Sequence, residues 1–142
     1  MKQPFDGEGA RLFGSRWNLA GLGAICPATA SLAVLEVFAN LQRSDLAEQY
    51  ALIECSFDES LVETISINDL PDDWRRSPGP HTLQGIGDEW IRSGRSAALA
   101  VPSAIIEHEL NYLLNPEHPD FRRIRRARPK PFAFDLRLVG KP

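Results

Sequence analysis

From residue 31 the apolar positions fall on a helical period. Leu32, Val34, Leu35, Phe38 and Leu41 share one broad face, and Thr29 or Ser31 is suited to the N-cap, so a helix is predicted over residues 31–43. Glu36 sits with Asn40 and Arg43 at the polar edge of that face, bordering the core without entering it. Residues 1–30 are rich in Gly, Pro and Ala, which predicts irregular chain with short extended pieces around Leu12-Phe13 and Ala24-Ile25. After the helix the period drops to two. Ala51, Ile53, Cys55 and Phe57 share one side of residues 50–57, and Leu61, Glu63, Ile65 and Ile67 repeat the pattern, predicting two strands. Leu70-Pro71-Asp72-Asp73-Trp74 ends the alternation, and Ser77-Pro78-Gly79-Pro80 lengthens the break into a loop of the kind that carries function. Leu83, Ile86, Trp90 and Ile91 predict a helix over residues 82–93, weakened by Gly85 and Gly87. Ala97 to Val101 reads as a buried strand stopped by Pro102, residues 104–115 fit neither period, and Phe132, Phe134, Leu136 and Leu138 alternate as a last strand.

Short strands interrupted by helices, without regular strand–helix alternation, predict an α+β fold with a mixed sheet and flanking helices, rather than a doubly wound parallel sheet. At 142 residues and 43% hydrophobic composition, one domain over residues 1–142 is expected, burying about two-thirds of its unfolded surface. The apolar runs fall well short of the ~20 residues that span a bilayer. The opening Met1-Lys2-Gln3-Pro4-Phe5-Asp6 has no apolar core of a secretion signal, so a cytoplasmic location is expected. Cys26 and Cys55 have neither metal-knuckle spacing nor the number of a disulfide framework and read as reduced thiols.

The formal net charge is −3, yet Arg122, Arg123, Arg125, Arg126, Arg128 and Lys130 lie close together. Without a basic overall balance or interleaved aromatic residues, the run reads as a solvated face more than an anion or partner site, and no direct nucleic-acid contact is expected. A nucleic-acid binder using this run would show affinity falling steeply with salt. His108 and His118, near Glu107, Glu109 and Asp120, lack the tight spacing of a metal site, so no metal is expected. Asn115 and His118 are suited instead to fixing a loop through side-chain to backbone hydrogen bonds. Trp17, Trp74 and Trp90 read as packing residues.

Two blocks carry the candidate chemistry. Gly14-Ser15-Arg16-Trp17-Asn18, followed by Glu36 in Ala33-Val34-Leu35-Glu36, sets a permanent cation and a carboxylate on either side of one turn. That pairing suits a dinucleotide held by its phosphates and attacked at a sugar carbon. Val101-Pro102-Ser103 leads through Asn111 to Asn115-Pro116-Glu117-His118-Pro119-Asp120. Further along lie Leu70-Pro71 with Trp74, Gln84 with Gly87-Asp88-Glu89-Trp90, and Pro131-Phe132-Ala133-Phe134-Asp135-Leu136-Arg137-Leu138.

In order and spacing these residues resemble the RES domain, named for an Arg, a Glu and a Ser, over about residues 6 to 138. The resemblance implies an ADP-ribosyltransferase-like fold and the toxin half of a bacterial type II toxin–antitoxin pair. The implied substrate is NAD, cleaved by hydrolysis, by phosphorolysis or by ADP-ribosyl transfer to a cellular protein. Cleaving the nicotinamide–ribose bond passes through an oxocarbenium-like state, which a nearby carboxylate stabilises. On this reading Glu36, Arg16 and Ser103 are catalytic, and Arg11, Arg16, Asn18, Ser103 and Asn115 bind NAD. The implied partner is an antitoxin with a helix-turn-helix, Xre-like domain, forming a hetero-oligomer whose DNA contact belongs to the antitoxin. The family commonly carries a tyrosine on the strand before the glutamate, where this chain has Ile25-Cys26, and an opening strand ahead of the segment matched by Gly7-Glu8-Gly9-Ala10-Arg11, which is not expected here. These departures motivate a second reading, a catalytically weakened RES domain that binds NAD as a regulatory module.

Overall fold

The computed structural model describes residues 16–17, 24–40, 50–77 and 79–139. In chain order its elements are β1 (Ala24–Pro27), α1 (Ala30–Asn40), β2 (Tyr50–Leu52), β3 (Cys55–Ser56), β4 (Val62–Thr64), α2 (His81–Ser93), β5 (Ala98–Pro102), β6 (Leu110–Leu114), β7 (Arg125–Arg126) and β8 (Lys130–Phe132). The main sheet has the order β1-β6-β5-β4. Its β1–β6 and β6–β5 pairs are antiparallel and β5–β4 is parallel, so the sheet is mixed and the fold is α+β as expected. Two small antiparallel ladders, β2–β8 and β3–β7, complete the strands.

The sheet separates two apolar clusters. Leu99, Val101 and Leu113 pack with Leu83, Trp90 and Ile91 of α2 and with Trp17, Leu70 and Trp74. Ala98, Leu114 and Ala24 pack on the other side with Leu61 and Ile124, bordered by Phe57, Tyr112 and Phe121. All three tryptophans are buried, as their reading as packing residues requires. Because β5 and β6 face apolar neighbours on both sides, the consecutive Leu113 and Leu114 are both fully buried, which erases the period-two signal in residues 104–115. That ambiguous stretch resolves as the extended β6.

Several expected elements are shorter because local side chains compete for the backbone. The single strand expected over 50–57 is two pieces, paired to different partners. The strand expected over 61–67 is reduced to β4, between 3-10 turns at Glu59–Leu61 and Ile67–Asp69. Asp58 accepts the Ser60 N–H and Ser66 accepts the Asn68 N–H, opening those turns. The last strand ends at Phe132. Asp135 accepts the Arg137 N–H at 2.9 Å and pairs with its guanidinium, so the chain turns into a 3-10 helix over Leu136–Val139 where alternation predicted extension. The extended piece near Leu12-Phe13 and the helix end beyond Asn40 lie outside the described residues.

Thr29 caps α1, accepting the Leu32 N–H at 3.0 Å. α2 runs through both of its glycines. Gly87 has a packing reason: a Cβ there would overlap the Trp17 carbonyl oxygen and come within 2.7 Å of its carbon, whereas one at Gly85 would meet nothing within 4 Å.

Candidate functional site

At the end of β5 and β6 where residues 103–109 connect them, the chain assembles a polar cluster from four separate segments. Leu32 on α1 is fully buried, and Glu36 follows one turn later on the same side, so burial of the leucine aims the carboxylate at the strand ends. Glu36 Oε1 accepts two hydrogen bonds, from Ser103 Oγ at 2.9 Å and from Asn111 Nδ2 at 2.7 Å. Asn111 lies opposite Val101 in the ladder, and the Ser103 N–H donates to the Glu109 carbonyl one step further on. Ser103 and Asn111 therefore project from the same face and converge on one oxygen.

Ser103 has little capacity left for anything else. Fully buried, it donates its one proton to Glu36 and accepts the Ile105 and Ile106 N–H groups, both at 3.1 Å. One proton and two lone pairs are all that a hydroxyl offers. The backbone turn after β5 thus orients the hydroxyl, and the hydroxyl orients the carboxylate.

Arg16 is held by a different segment of the chain. Its Nη1 donates to the Trp74 carbonyl at 3.0 Å and to the Arg76 carbonyl at 2.7 Å, so the loop after Leu70 holds it in place. Partial burial pushes its pKa down and the Glu36 charge pushes it back up, placing the two groups within electrostatic reach; an arginine so placed keeps its charge. Gly79 leaves the space: a Cβ there would stand 2.8 Å from Arg16 Nη1 and 3.0 Å from its Cγ. Arg75 ties the same loop to the turn after Ser103, donating to the Ala104 carbonyl at 3.0 Å and the Ile105 carbonyl at 3.3 Å and pairing with Glu107 at 3.3 Å. One chain of contacts therefore runs from Arg16 through the loop to Ser103, Glu36 and Asn111.

Of the residues expected at the site, Arg16, Glu36 and Ser103 come together here. Asn115 does not join their hydrogen bonds. It is buried just beyond β6, where Nδ2 donates to the Ile91 carbonyl and Oδ1 accepts the Glu117 N–H, and His118 Nδ1 accepts the Asp120 N–H. Both side chains fix the loop after Leu114 as expected. Arg11 and Asn18 lie outside the described residues. Asn111 joins the cluster beyond the expected set; in the sequence its only signal is a polar side chain within the apolar Leu110–Leu114 segment. At the position expected to carry a ring, Ile25 packs against the cluster containing Trp17 and Trp74. Among the described residues no three His, Cys, Asp or Glu side chains gather closely enough to hold a metal, and no helix is long and apolar enough to cross a membrane.

Comparison with known proteins gives a family, two relatives and a solved structure. The family described as RES domain matches residues 1–135. A protein named Toxin Res from Yersinia enterocolitica is 39% identical over 140 residues, covering 97% of this chain and 92% of its own length. A protein named Prs ADP-ribosylating toxin from Sphingobium sp. is 31% identical over 140 residues, covering 96% of this chain and 87% of its own. Among solved structures, the M. tuberculosis MbcT–MbcA toxin–antitoxin complex contains a chain that superposes with a TM-score of 0.76 at 18% identity, covering 93% of this chain and 79% of that one. At that identity the likeness establishes a common fold.

Proposed function

The chain belongs to the RES domain family, and from that premise we propose that it is the toxin of a toxin–antitoxin pair and acts by breaking the nicotinamide–ribose bond of NAD. The observation that carries this reading is the Glu36 carboxylate, held by two neutral donors, with a loop-anchored arginine within electrostatic reach. Hydrogen bonds to a charged acceptor are worth about 1.5–3 kcal/mol each, enough to hold the side chain in one rotamer. As nicotinamide leaves, positive charge spreads over the ribose C1′ and ring oxygen, and a carboxylate already in place stabilises it without reorganising. Arg16 holds the pyrophosphate through a planar fork that lysine does not reproduce. Ser103 acts through Glu36 as a positioning residue.

The acceptor is water, phosphate or a protein side chain, and the relative named as an ADP-ribosylating toxin supports the third as a real alternative. An antitoxin with a helix-turn-helix domain is the proposed partner in the cytoplasm, in keeping with the toxin–antitoxin complex that shares the fold. Mass spectrometry of NAD incubated with the purified chain, with and without phosphate and with cell extract, tests the reading. Free ADP-ribose, ADP-ribose phosphate and a modified protein differ in mass. Release of nicotinamide that Glu36→Ala abolishes is the expected result; intact NAD under all three conditions would reject it.

A further inference from the structure

Asn111 holds the one buried side-chain polar atom that lacks a hydrogen-bond partner among the described residues, its Oδ1. The residue is 6% exposed, so water does not readily compensate the missing bond. The assignment of the amide is fixed by chemistry: the atom 2.7 Å from Glu36 Oε1 must be the NH2 group, because a carbonyl oxygen there would face a carboxylate. The planar amide then sets Oδ1 within about 5 Å of the Glu36 oxygen. A buried acceptor left unpaired costs about 1–3 kcal/mol, and such atoms in native proteins call for a partner.

Resting on the reading of the site given above, we propose that Asn111 Oδ1 is a substrate contact that accepts a hydrogen bond from a hydroxyl of the nicotinamide-bearing ribose, beside Glu36. One N–H of the Asn111 amide is committed to Glu36, and the unpaired Oδ1 beside it is an acceptor, so the site asks for a donor. A vicinal diol presents two O–H donors side by side, which suits a carboxylate and an amide oxygen as adjacent acceptors. The 2′-hydroxyl sits on the carbon next to C1′ and the 3′-hydroxyl beside it, so a carboxylate stationed at C1′ brings its neighbour to them. Asn111 thereby reads the sugar and, through Nδ2, steadies Glu36.

The test is calorimetric binding of ADP-ribose, and of its two analogues lacking either hydroxyl of the terminal ribose, to the full chain and to Asn111→Leu. No bond is broken, so intrinsic reactivity does not enter. The wild-type chain is expected to bind at least one deoxy analogue about tenfold more weakly than ADP-ribose, and Asn111→Leu to bind the two within about threefold of each other, a loss of coupling that a merely structural role would not produce. If Asn111→Leu lacks a cooperative melt, Asn111→Ser carries the same comparison. Equal wild-type affinity for all three ligands, no binding of ADP-ribose, or a variant that keeps the full preference would overturn the assignment. Nicotinamide release, measured separately, distinguishes this outcome from failure of the NAD-cleavage reading: a wild-type chain with the hydroxyl preference but no release rejects cleavage and leaves the contact standing.

Discussion

Substituting the two glycines of α2 by alanine separates helix propensity from packing at the base of the site. Alanine improves a helix interior by about 0.5–1 kcal/mol relative to glycine. At Gly85, where a Cβ meets nothing within 4 Å, that gain stands alone. At Gly87 the added methyl falls on the Trp17 carbonyl group, and both partners are backbone, so no side-chain rotation relieves the overlap. Overpacking at well-packed positions costs about 1–3 kcal/mol, and a backbone clash belongs at the upper end. After the propensity gain, Gly87→Ala is expected to lose about 2 kcal/mol, and Gly85→Ala to gain under 1. At about 2–4 °C per kcal/mol, differential scanning calorimetry should place Gly87→Ala about 4–8 °C below the wild type and Gly85→Ala slightly above it. Because Trp17 adjoins Arg16, nicotinamide release should also fall in the Gly87 variant at temperatures where it remains folded. A Gly87→Ala melt at or above that of the wild type would refute the account of how α2 seats the Arg16–Trp17 segment.

Gly79→Ala crowds side-chain atoms of Arg16 from Cγ to Nη1, so it should shift Tm by under about 2 °C while raising the KM for NAD; an unchanged KM would mean that the guanidinium is not placed by this loop. Ser103→Ala strips a partner from Glu36 Oε1 and from the Ile105 and Ile106 N–H groups, which should cost about 2–3 kcal/mol in urea unfolding and depress kcat, whereas a loss in stability with full kcat would remove Ser103 from the positioning of Glu36. The Cys55 thiol is held below the usual thiol range by a hydrogen bond from Cys26 and by the Arg126 charge, with Cys26 pushed up in return. Iodoacetamide near neutral pH should therefore modify Cys55 first, in peptide mapping, and Arg126→Ala should slow that reaction; prior labelling of Cys26 would contradict the pairing.

The α+β class and the Arg16, Glu36 and Ser103 set were legible because strong signals marked them. α1 announces itself by period and by the Thr29 cap, but the period misorients its face: Leu35 and Phe38, expected to be buried, are exposed, and Glu36 lies on the side of the buried Leu32. The mixed character of the sheet was expected, but its strand order β1-β6-β5-β4 was not spelled out by any strand, since β5 and β6 are buried on both sides and lose alternation. Strand ends were hidden by local competition: Asp58, Ser66 and Asp135 each use a side chain to turn the backbone within a pattern that still alternates. The share taken by Asn111 was invisible for a different reason. Its importance comes from a cross-strand diagonal with Ser103 and a bond to a helix 75 positions away in sequence, and only the folded sheet creates that neighbourhood. The same holds for the Trp74 and Arg76 carbonyls, which bind Arg16 through backbone atoms common to every residue type.

The most direct measurement of the central claim is nicotinamide release from NAD by the purified chain, compared with Glu36→Gln. Glutamine retains an oxygen able to accept from Ser103 and Asn111, so the variant removes the charge and keeps the shape. The account predicts release by the wild type and a loss of about 100-fold or more in the variant, measured at a temperature where both melting curves show a folded chain. Undiminished release by Glu36→Gln, or none by the wild type, would contradict it.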